Sequence, residues 1–301
     1  MANTMTALRH QIGSAEDLKS VVRTMRASAA SAIGQYEKSV AALGDYARTV
    51  ELGLSVCLRA VDAAQVHPRM SPKPSPGNAH AVVFGSDQGL VGRFNEEVAD
   101  YAVQLLASTS AKVWTVGARV NSRLLDAGIQ PVGALPVPGS VTLITRLVGD
   151  ILEKILSPED GTEGEAQGGT LILIYNRPTL TGYAPVSQRL LPLDEHWQHT
   201  LALQAWPRAQ RPEVLGSGAQ ALQAFIREHL FVSLFRASAE SLASENASRL
   251  AAMQRADRNI GDLLEGLHAS FHQQRQAGID AELFEVIAGF DALSGTGARL
   301  P

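Results

Sequence analysis

The chain has 301 residues, with 26 Lys plus Arg against 30 Asp plus Glu, one cysteine and 45% hydrophobic residues. The slightly acidic balance argues against a dedicated nucleic-acid surface, and the lone Cys57 excludes a disulfide framework or a multi-cysteine zinc site within the chain. The sequence contains no run of about 18 apolar residues, so no membrane span is predicted. The charged N-terminus also lacks the apolar run of a signal peptide.

Residues 1–66 predict one long helix. No proline occurs between Thr4 and Ala64, and apolar or small residues recur at steps of three and four. The mean step is about 3.5 residues, the period of a left-handed coiled coil. The predicted buried face consists of Leu8, Ile12, Ala15, Leu18, Val22, Met25, Ala29, Ile33, Tyr36, Val40, Leu43, Ala47, Val50, Leu54, Cys57 and Val61.

Residues 67–212 predict an α/β domain. The segment "HPRMSPKPSPGN" (67–78) breaks the first helix and is typical of a linker. Predicted strands then alternate with predicted helices, which favours a mostly parallel sheet with helices on its faces. The strands are "AVVF", "KVWTVG" and "TLILIYN", and the helices are "GRFNEEVADYAVQLLA", "ARVNSRLLDAG" and "VTLITRLVGDILEKIL". The polar, glycine-rich segment 157–169 predicts a loop.

Residues 213–301 predict a second long helix. The part from Glu213 to Leu293 lacks proline, and we expect its buried face to comprise Leu250, Met253, Ile260, Leu263, Leu267, Phe271, Ile279, Leu283, Val286, Ile287 and Phe290. Two long terminal helices joined through a domain most simply pack as an antiparallel pair; independent bundle helices are the alternative. The predicted fold class is therefore α/β, with a long antiparallel two-helix coiled coil from the N- and C-termini plus a central Rossmann-like α/β domain.

The stretch "FGSDQGLVGRFN" (84–95) places a glycine-containing turn between a strand and a helix N-terminus. Gly89 and Gly92 would let the backbone approach a phosphate there. However, no P-loop lysine follows and the dinucleotide fingerprint is incomplete. A hydrolytic set of Ser86, Asp87 and a histidine lacks the G-x-S-x-G elbow. We therefore predict no catalytic residue, no metal and no cofactor, and no ATPase activity of the chain by itself.

Residues 240–293 contain a dense motif at fixed spacing. It consists of E-S-x-A-S-E-x-A-x-R-x-x-A-M, a central Asn and R-Q-A-x-I-x-x-E-L-x-E-[IV]-x-x-G. Its residues include Glu240, Ala243, Ser244, Glu245, Arg249, Met253, Asn259, Arg275, Gln276, Ile279, Glu282, Leu283, Glu285 and Gly289. In this motif the segment resembles the C-terminal helix of the gamma subunit of F-type ATP synthases.

The N-terminal segment and the glycine turn resemble the same family. "LRHQIGSAEDLKSVVRTMRASAAS" is similar to the family's first helix, with Arg9, Ile12, Ser14, Val21, Met25 and Arg26 in register. "SDQGLVGRFN" is similar to the family's S-D-R-G-L-C-G-x-x-N. In the family this loop belongs to the α/β domain at the foot of the shaft and is not a nucleotide site.

The resemblance implies a central rotor stalk that couples ion flow through the membrane c-ring to ATP synthesis or hydrolysis in the alpha–beta hexamer. The implied partners are the alpha and beta subunits, the epsilon subunit and the c-ring, with no nucleic acid. The implied location is peripheral, on the cytoplasmic side of the bacterial inner membrane. A coiled-coil adaptor unrelated to ATPases is the alternative.

The resemblance also selects residues for contact with the hexamer: Met25, Arg26, Arg249, Arg275, Gln276 and Glu282. Asp87, Gly89 and Gly92 mark the lower-stalk loop. Each has a structural alternative. Met25 and Arg26 could be a core methionine and a surface arginine, and Arg275 and Gln276 an ordinary solvated helix face. Arg249 could form only an intrahelical ion pair with Glu245, and Asp87 could serve a turn.

Three departures from the family pattern reduce positive charge or change the loop. Ala32 occupies the usual lysine position of the first helix, Gln88 replaces the loop's arginine and Val91 replaces its cysteine. The loss of positive charge from the upper shaft would weaken electrostatic contact with acidic segments of the beta subunits. The departures indicate a divergent member of the family; an accessory ATPase complex is the hypothesis that this suggests, and the housekeeping enzyme is the alternative.

Overall fold

The computed structural model describes residues 2–63, 79–107, 109–156, 169–207, 210, 212–214 and 216–295. The predicted linker 67–78 and all but residue 169 of the predicted loop 157–169 lie outside these residues. The chain divides into two compact units, residues 1–28 with 251–301 and residues 29–250. In chain order the elements are α1 Ala2–Ala63, β1 Ala79–Phe84, α2 Phe94–Leu106, β2 Lys112–Val116, α3 Ala118–Asp126, β3 Gly133–Leu135, α4 Val141–Leu156, β4 Thr170–Thr179, β5 Gly182–Leu191, α5 Glu195–Leu203 and α6 Gly218–Gly295.

The second unit contains a five-stranded sheet in the order β3-β2-β1-β4-β5. The pairs β1–β2, β1–β4 and β2–β3 are parallel, and only β4–β5 is antiparallel. Since β1 is central and runs parallel to both neighbours, each parallel connection needs a crossover, which α2, α3 and α4 supply. The predicted fold class, a mostly parallel Rossmann-like sheet with long terminal helices, is confirmed.

Helices cover both faces of the sheet because alternate strand residues point to opposite sides. Ala81 and Val83 of β1 pack with α2 and α3, whereas Val82 and Phe84 pack with α4 and with parts of α1 and α6. Tyr36 is the buried α1 residue of this second cluster. β1 and the first half of β4 consequently consist of nearly continuous apolar residues, as expected for strands buried on both faces.

Within the second unit, α1 and α6 run antiparallel. The Tyr46 hydroxyl donates a hydrogen bond to Glu228 Oε2 at 2.6 Å. Further along α1, a Cβ on Gly53 would lie 2.1 Å from Phe225 Cε1. The phenyl ring of Phe225 occupies the space that a Cβ atom at position 53 would need, and this explains the glycine there.

Within the first unit, the two helices also run antiparallel along a narrow apolar seam. Its buried residues are Ala15, Val22, Met253, Ile260 and Leu264. Near the start of α1, the Arg9 guanidinium lies 5.4 Å from the centre of the Phe271 ring. The antiparallel pairing is thus present in each unit, rather than a set of independent bundle helices.

The predicted faces of the long helices need correction at three places. Leu18 is 53% exposed and Leu263 is 55% exposed, whereas the neighbouring Leu264 is buried. The buried face was predicted with a mean spacing of about 3.5 residues. Where the helix has about 3.6 residues per turn, the position that faces the partner helix shifts by one residue. The third error is a group of residues near the end of α6 that we expected to be buried and that are exposed: Ile279, Leu283, Val286, Ile287 and Phe290.

These terminal residues are exposed because α1 does not reach them. In an antiparallel pair, each step forward on one helix is opposite a step back on the other. With Arg9 beside Phe271, the first described residue of α1, Ala2, lies near the level of Gly278. The part of α6 beyond Gly278 therefore has no α1 residue of the described chain opposite it.

Three elements were not expected from the sequence: β3, β5 and α5. β5 carries Pro185 and polar residues, and it forms a hairpin with β4 at the edge of the sheet. An edge strand tolerates proline because one side of its backbone has no sheet partner. Helix α5 begins after Asp194, whose carboxylate accepts a hydrogen bond from the Trp197 amide at 2.8 Å.

Candidate partner-contact sites

Asp87 anchors the loop that follows β1. Its Oδ1 accepts a hydrogen bond from the Ala118 amide at the start of α3, and its Oδ2 accepts one from the Val137 amide, both at 2.9 Å. Since parallel strands end at the same edge of a sheet, one carboxylate ties together the segments that follow β1, β2 and β3. Asp87 therefore has the structural role of a turn residue, while its side chain remains exposed.

The turn after Asp87 has two consecutive unusual features. Leu90 adopts a φ of 63° with its side chain 62% exposed, and Gly92 adopts a φ of 58°. The left-handed region suits Gly92 but strains a leucine by roughly 1 kcal/mol. A Cβ on Gly89 would meet only Arg119 Nη2, at 3.6 Å, so this glycine is not required by packing. The strained, exposed Leu90 is a feature that the sequence analysis missed.

The turn is held against α6 by a buried contact. Val91 is buried, and its carbonyl accepts a hydrogen bond from the Ser248 hydroxyl. A buried ion pair lies close by on the same helix. Arg249 Nη2 lies 2.6 Å from Glu245 Oε1, with only 12% and 7% of the two side chains exposed.

Burial raises the pKa of the Glu245 carboxyl, and the charge and hydrogen bond of Arg249 oppose that rise. Asp87 adds a smaller upward contribution to the same pKa. The i,i+4 ion pair that the sequence offered as the structural alternative for Arg249 is therefore present, and it is buried rather than solvated. Its guanidinium also lies 3.2 Å from Asn246 Oδ1.

Met25 and Arg26 lie side by side in the first unit but have different surroundings. Met25 is half-buried and packs against the apolar seam. Arg26 Nη1 lies 2.8 Å from Asp257 Oδ2, and Arg23 Nε lies 3.3 Å from Asp257 Oδ1. One carboxylate of α6 thus holds two arginines of α1, both of which keep substantial solvent exposure. Asp257 was not a predicted site residue, because nothing in the sequence links it to residues more than 200 positions away.

Arg275, Gln276 and Glu282 are exposed on α6. None of the three makes a hydrogen bond or an ion pair with another residue in the described part of the chain. At about 100° per residue, they border the apolar face formed by Ile279, Leu283, Val286, Ile287 and Phe290. Phe284, which is 72% exposed, lies outside that face. We call residues 275–290 the α6 tip.

The hydrolytic alternative finds no support in the geometry of its serine. Ser86 is buried, its hydroxyl donates to the Gln88 carbonyl at 2.8 Å and it accepts a hydrogen bond from Asn95 Nδ2 at 2.8 Å. Among the described residues, no group of three or more His, Cys, Asp or Glu side chains could hold a metal ion. In that same portion of the chain, no helix is long and apolar enough to cross a membrane.

The fold defines a class of protein in which an α/β domain is inserted in the sequence between two long terminal helices. These helices are paired antiparallel in each unit, and the inserted domain contains a mostly parallel sheet. A sequence model described as "ATP synthase" matches residues 4–293. The chain belongs to this ATP synthase family, within which its curated relatives are gamma chains.

Among these relatives, the ATP synthase gamma chain of Granulibacter bethesdensis is 26% identical, over 96% of this chain and 99% of its own length. That of Salinispora arenicola is also 26% identical, with both chains covered fully. A chain of the Euglena gracilis mitochondrial ATP synthase (OSCP/F1/c-ring) superposes with a TM-score of 0.66 at 15% identity, covering 100% of this chain and 98% of its own. A chain of the Tetrahymena thermophila central stalk and c-ring superposes with a TM-score of 0.55 at 19% identity, covering 78% of this chain and 99% of its own.

The predicted family is confirmed by these matches, and so is the predicted function as a gamma-type central stalk subunit. The unrelated coiled-coil adaptor is the less favoured alternative because the family match extends through the α/β domain as well as the two helices. The solved structures add support for the fold.

Proposed function

We propose that the chain is the rotating element of its ATP synthase and transmits torque between an ion-driven c-ring and an alpha–beta hexamer. The observation that carries this proposal is the family match over residues 4–293, which includes both paired helices and the domain between them. Coupling requires that the contacts of the rotor differ among the conformations of the hexamer, since a partner with equal affinity for all states shifts none of them. The chain itself supplies no catalytic group in this proposal.

The α6 tip supports a contact with the hexamer. Four large apolar side chains, those of Ile279, Leu283, Val286 and Ile287, lie on one face at helical spacing, and each is about half exposed or more. Burying a side chain of this size contributes roughly 1.5–3 kcal/mol. A continuous apolar face that the described chain leaves in water is typical of a surface that a partner covers. We propose that the alpha and beta subunits provide that cover, and that Arg275, Gln276 and Glu282 make polar contacts at its border.

The arginine pair beside Asp257 supports a second contact. Arg26 and Arg23 share one carboxylate, so the cluster keeps a net positive charge at an exposed position. We propose that Arg26, positioned by the packing of Met25 in the seam, meets an acidic segment of a beta subunit. Arg249 is largely buried and contacts Glu245 and Asn246 of its own helix. We propose that it stabilises this helix and does not contact a partner.

The loop held by Asp87 is our proposed lower-stalk contact. Asp87 fixes the loop by two backbone hydrogen bonds, and Gly89 and Gly92 leave the adjoining backbone open. We propose that this part of the α/β domain lies in the lower stalk, where the epsilon subunit and the c-ring are the partners. The complex then holds the chain peripherally at the cytoplasmic side of a bacterial inner membrane.

The departures from the family pattern support a divergent, accessory complex. Ala32 packs against the core of the second unit, and Gln88 is exposed in the loop. Neither position carries the positive charge that the family usually has. We propose that the missing charge at Ala32 weakens electrostatic contact with acidic beta segments, so that assembly with this chain depends less on ionic strength than assembly with a typical gamma chain.

The proposal is tested by titrating a purified alpha–beta hexamer from the same host with the full chain and measuring ATP hydrolysis. We expect a saturable change in rate at about one chain per hexamer. The double variant Arg275→Ala/Gln276→Ala should require a higher concentration for half-saturation. Arg258→Ala is the matched control, because Arg258 is an exposed arginine of the same helix outside the tip. No assembly and no change in rate with the unaltered chain would contradict the proposal.

A further inference from the structure

A cavity of about 340 Å³ lies in the second unit between α1, α6, β5 and the start of α5. One wall consists of His229, Val232, Ser233 and Arg236, which follow each other on one stripe of α6. The opposite wall includes Val50 of α1 and Trp197 of α5. The volume is at the lower end of the range of small-molecule sites, which runs from about 300 to 1,000 Å³. We call it the Arg236 cavity.

The α6 wall of this cavity presents donors that the chain does not use. Arg236 Nε is buried and has no hydrogen-bond partner, and Arg236 forms no ion pair with any residue in the described ranges. Ser233 is 8% exposed, and its hydroxyl has no hydrogen-bond partner among those residues either. A half-buried guanidinium normally has a carboxylate beside it, because a desolvated charge without compensation is unfavourable.

The electrostatics at this end of the cavity agree with an uncompensated cation. Burial lowers the pKa of His229, and the positive charge of Arg236 lowers it further. No carboxylate contributes to the pKa of His229 in the opposite direction. The imidazole is stacked on Trp197 with ring centres 4.9 Å apart. His229 and Arg236 therefore line the same cavity, and no carboxylate offsets the effect of Arg236 on the pKa of His229.

The other charged groups of the cavity do not neutralise Arg236. Arg189 of β5 lies 3.7 Å from Asp194, and both side chains are more than half exposed. Asp194 is also occupied as the cap of α5. Glu51 of α1 lines the cavity but lies beyond ion-pair distance of Arg236. The remaining lining consists of one polar residue, Gln188, and of the apolar residues Ala47, Val50, Leu190, Leu193, Trp197 and Val232.

We propose that the Arg236 cavity binds a small monocarboxylate with a short apolar tail. The carboxylate accepts hydrogen bonds from the Arg236 guanidinium and the Ser233 hydroxyl, and the tail packs against Trp197, Val50 and Val232. A carboxylate fits better than a larger oxyanion because its two oxygens match the planar fork of a guanidinium. The apolar lining selects a ligand with a hydrocarbon tail over a bare anion. This inference does not depend on the rotor proposal, and its failure would leave that proposal unchanged.

The test is equilibrium dialysis of the purified full chain against radiolabelled butyrate, with the His229 ring resonances followed by NMR. We expect saturable binding of one butyrate per chain and a saturable shift of the His229 resonances. Unlabelled butyrate should displace the label, whereas butanol and inorganic phosphate at the same concentration should not. Arg236→Gln should lower the affinity by about tenfold or more, since a hydrogen-bonded charge is lost.

Three variants distinguish binding in the Arg236 cavity from binding elsewhere on the chain. Ser233→Ala keeps the arginine and should lower the affinity by a smaller factor, which covers the case that Arg236→Gln misfolds. Arg227→Gln, at an exposed arginine of α6 that does not line the cavity, is the matched arginine control and should change the affinity less than about twofold. Glu51→Gln should raise it, because a negative charge near the ligand is removed. The proposal is overturned by absence of saturable binding, by equal binding of butanol or phosphate, or by unchanged affinity in both Arg236→Gln and Ser233→Ala.

Discussion

Two stretches of α6 differ in burial, and the difference is the opposite of what the hydrophobicity of their side chains predicts. Residues 241–246, which include Ser241, Ser244 and Glu245, are all buried, whereas residues 279–290, with several Leu, Ile and Phe side chains, are all exposed. The first stretch is buried because α1 and the α/β domain surround it, and small side chains are what fit there. In the second, no described residue of the chain provides a surface to pack against. Burial along a long helix therefore depends on the available neighbours.

The same contrast separates two of the apolar clusters to which the long helices contribute. In the second unit, α1 and α6 contribute to a core shared with the sheet and with α4. In the first unit they have only each other, along a seam of five buried side chains. We expect substitutions in the shared core to affect the folding of the isolated chain strongly. Substitutions at the α6 tip should affect assembly instead.

The largest expected effect is that of Leu234→Ala in the shared core. Leu234 is fully buried, so its truncation removes apolar contact and leaves a cavity, which should lower the free energy of unfolding by about 2–5 kcal/mol. Leu263→Ala, on the same helix at a position that is 55% exposed, is the matched control and should cost less than about 0.5 kcal/mol. Urea denaturation of the two variants measures the difference; equal midpoints would contradict the packing described here.

The next largest effect concerns the two ion-pair sites. Arg249→Met leaves the Glu245 carboxylate buried without its partner and should destabilise the chain by about 3 kcal/mol at neutral pH. Arg26→Met should have an effect below about 1 kcal/mol, because Arg26 is more exposed and Arg23 still pairs with Asp257.

A pH series checks the cause of the Arg249→Met effect. Burial raises the pKa of Glu245, so a buried Glu245 favours the folded state in its protonated form and disfavours it once ionised. The charge-dependent destabilisation of the variant should therefore shrink as the pH falls through the raised pKa of Glu245, and it should be absent below the ordinary pKa of a glutamate. A loss of stability that is the same at low and neutral pH would show that packing, and not charge, is responsible.

A smaller effect is expected from Tyr175 at alkaline pH. Burial raises its pKa from 10.0 to about 12, so its protonated form favours the folded state. The contribution is complete below pH 10 and is lost as the pH rises towards 12, on the order of 2 kcal/mol. Tyr175→Phe should remove this part of the alkaline destabilisation. Denaturation midpoints between pH 8 and 12 measure it, and identical pH profiles of the variant and the unaltered chain would contradict it.

The smallest effect on the isolated chain is expected at the α6 tip. Leu283→Ser and Val286→Ser change exposed side chains of the apolar face and should shift the free energy of unfolding by less than about 0.5 kcal/mol. The same variants should weaken assembly with the alpha–beta hexamer, measured by co-purification. Gln254→Ser, at an exposed polar position of α6, is the control and should change neither. Loss of folding in the tip variants would show that these residues are covered within the chain.

Much of the fold follows from local patterns. A proline-free apolar repeat predicted α1 and most of α6, and continuous apolar runs predicted β1, β2 and most of β4. The pattern failed where the deciding contact is distant or a residue is ambiguous. Pro185 concealed β5, because an edge strand accepts a proline that a central strand would not. Leu263 and Leu264 are both leucines, and only the position of α1 decides which one is buried.

The candidate sites divide in the same way. The Glu245–Arg249 pair was predictable, because residues four apart on a helix are neighbours. The role of Asp87 was harder to predict from the sequence, because only the folded sheet brings its partners Ala118 and Val137 close to it. The ion pairs of Asp257 and the lining of the Arg236 cavity both involve side chains from segments far apart in the sequence. Their recognition requires the folded chain.

The central claim, that the chain turns within its complex, is tested most directly by single-molecule rotation. Leu180, fully exposed at the tip of the β4–β5 hairpin, is replaced by cysteine in a Cys57→Ser background, and a bead is attached there. With the alpha–beta hexamer fixed to a surface and ATP supplied, the account predicts stepwise rotation of the bead in one direction. A bead that stays still while the same complexes hydrolyse ATP would contradict it.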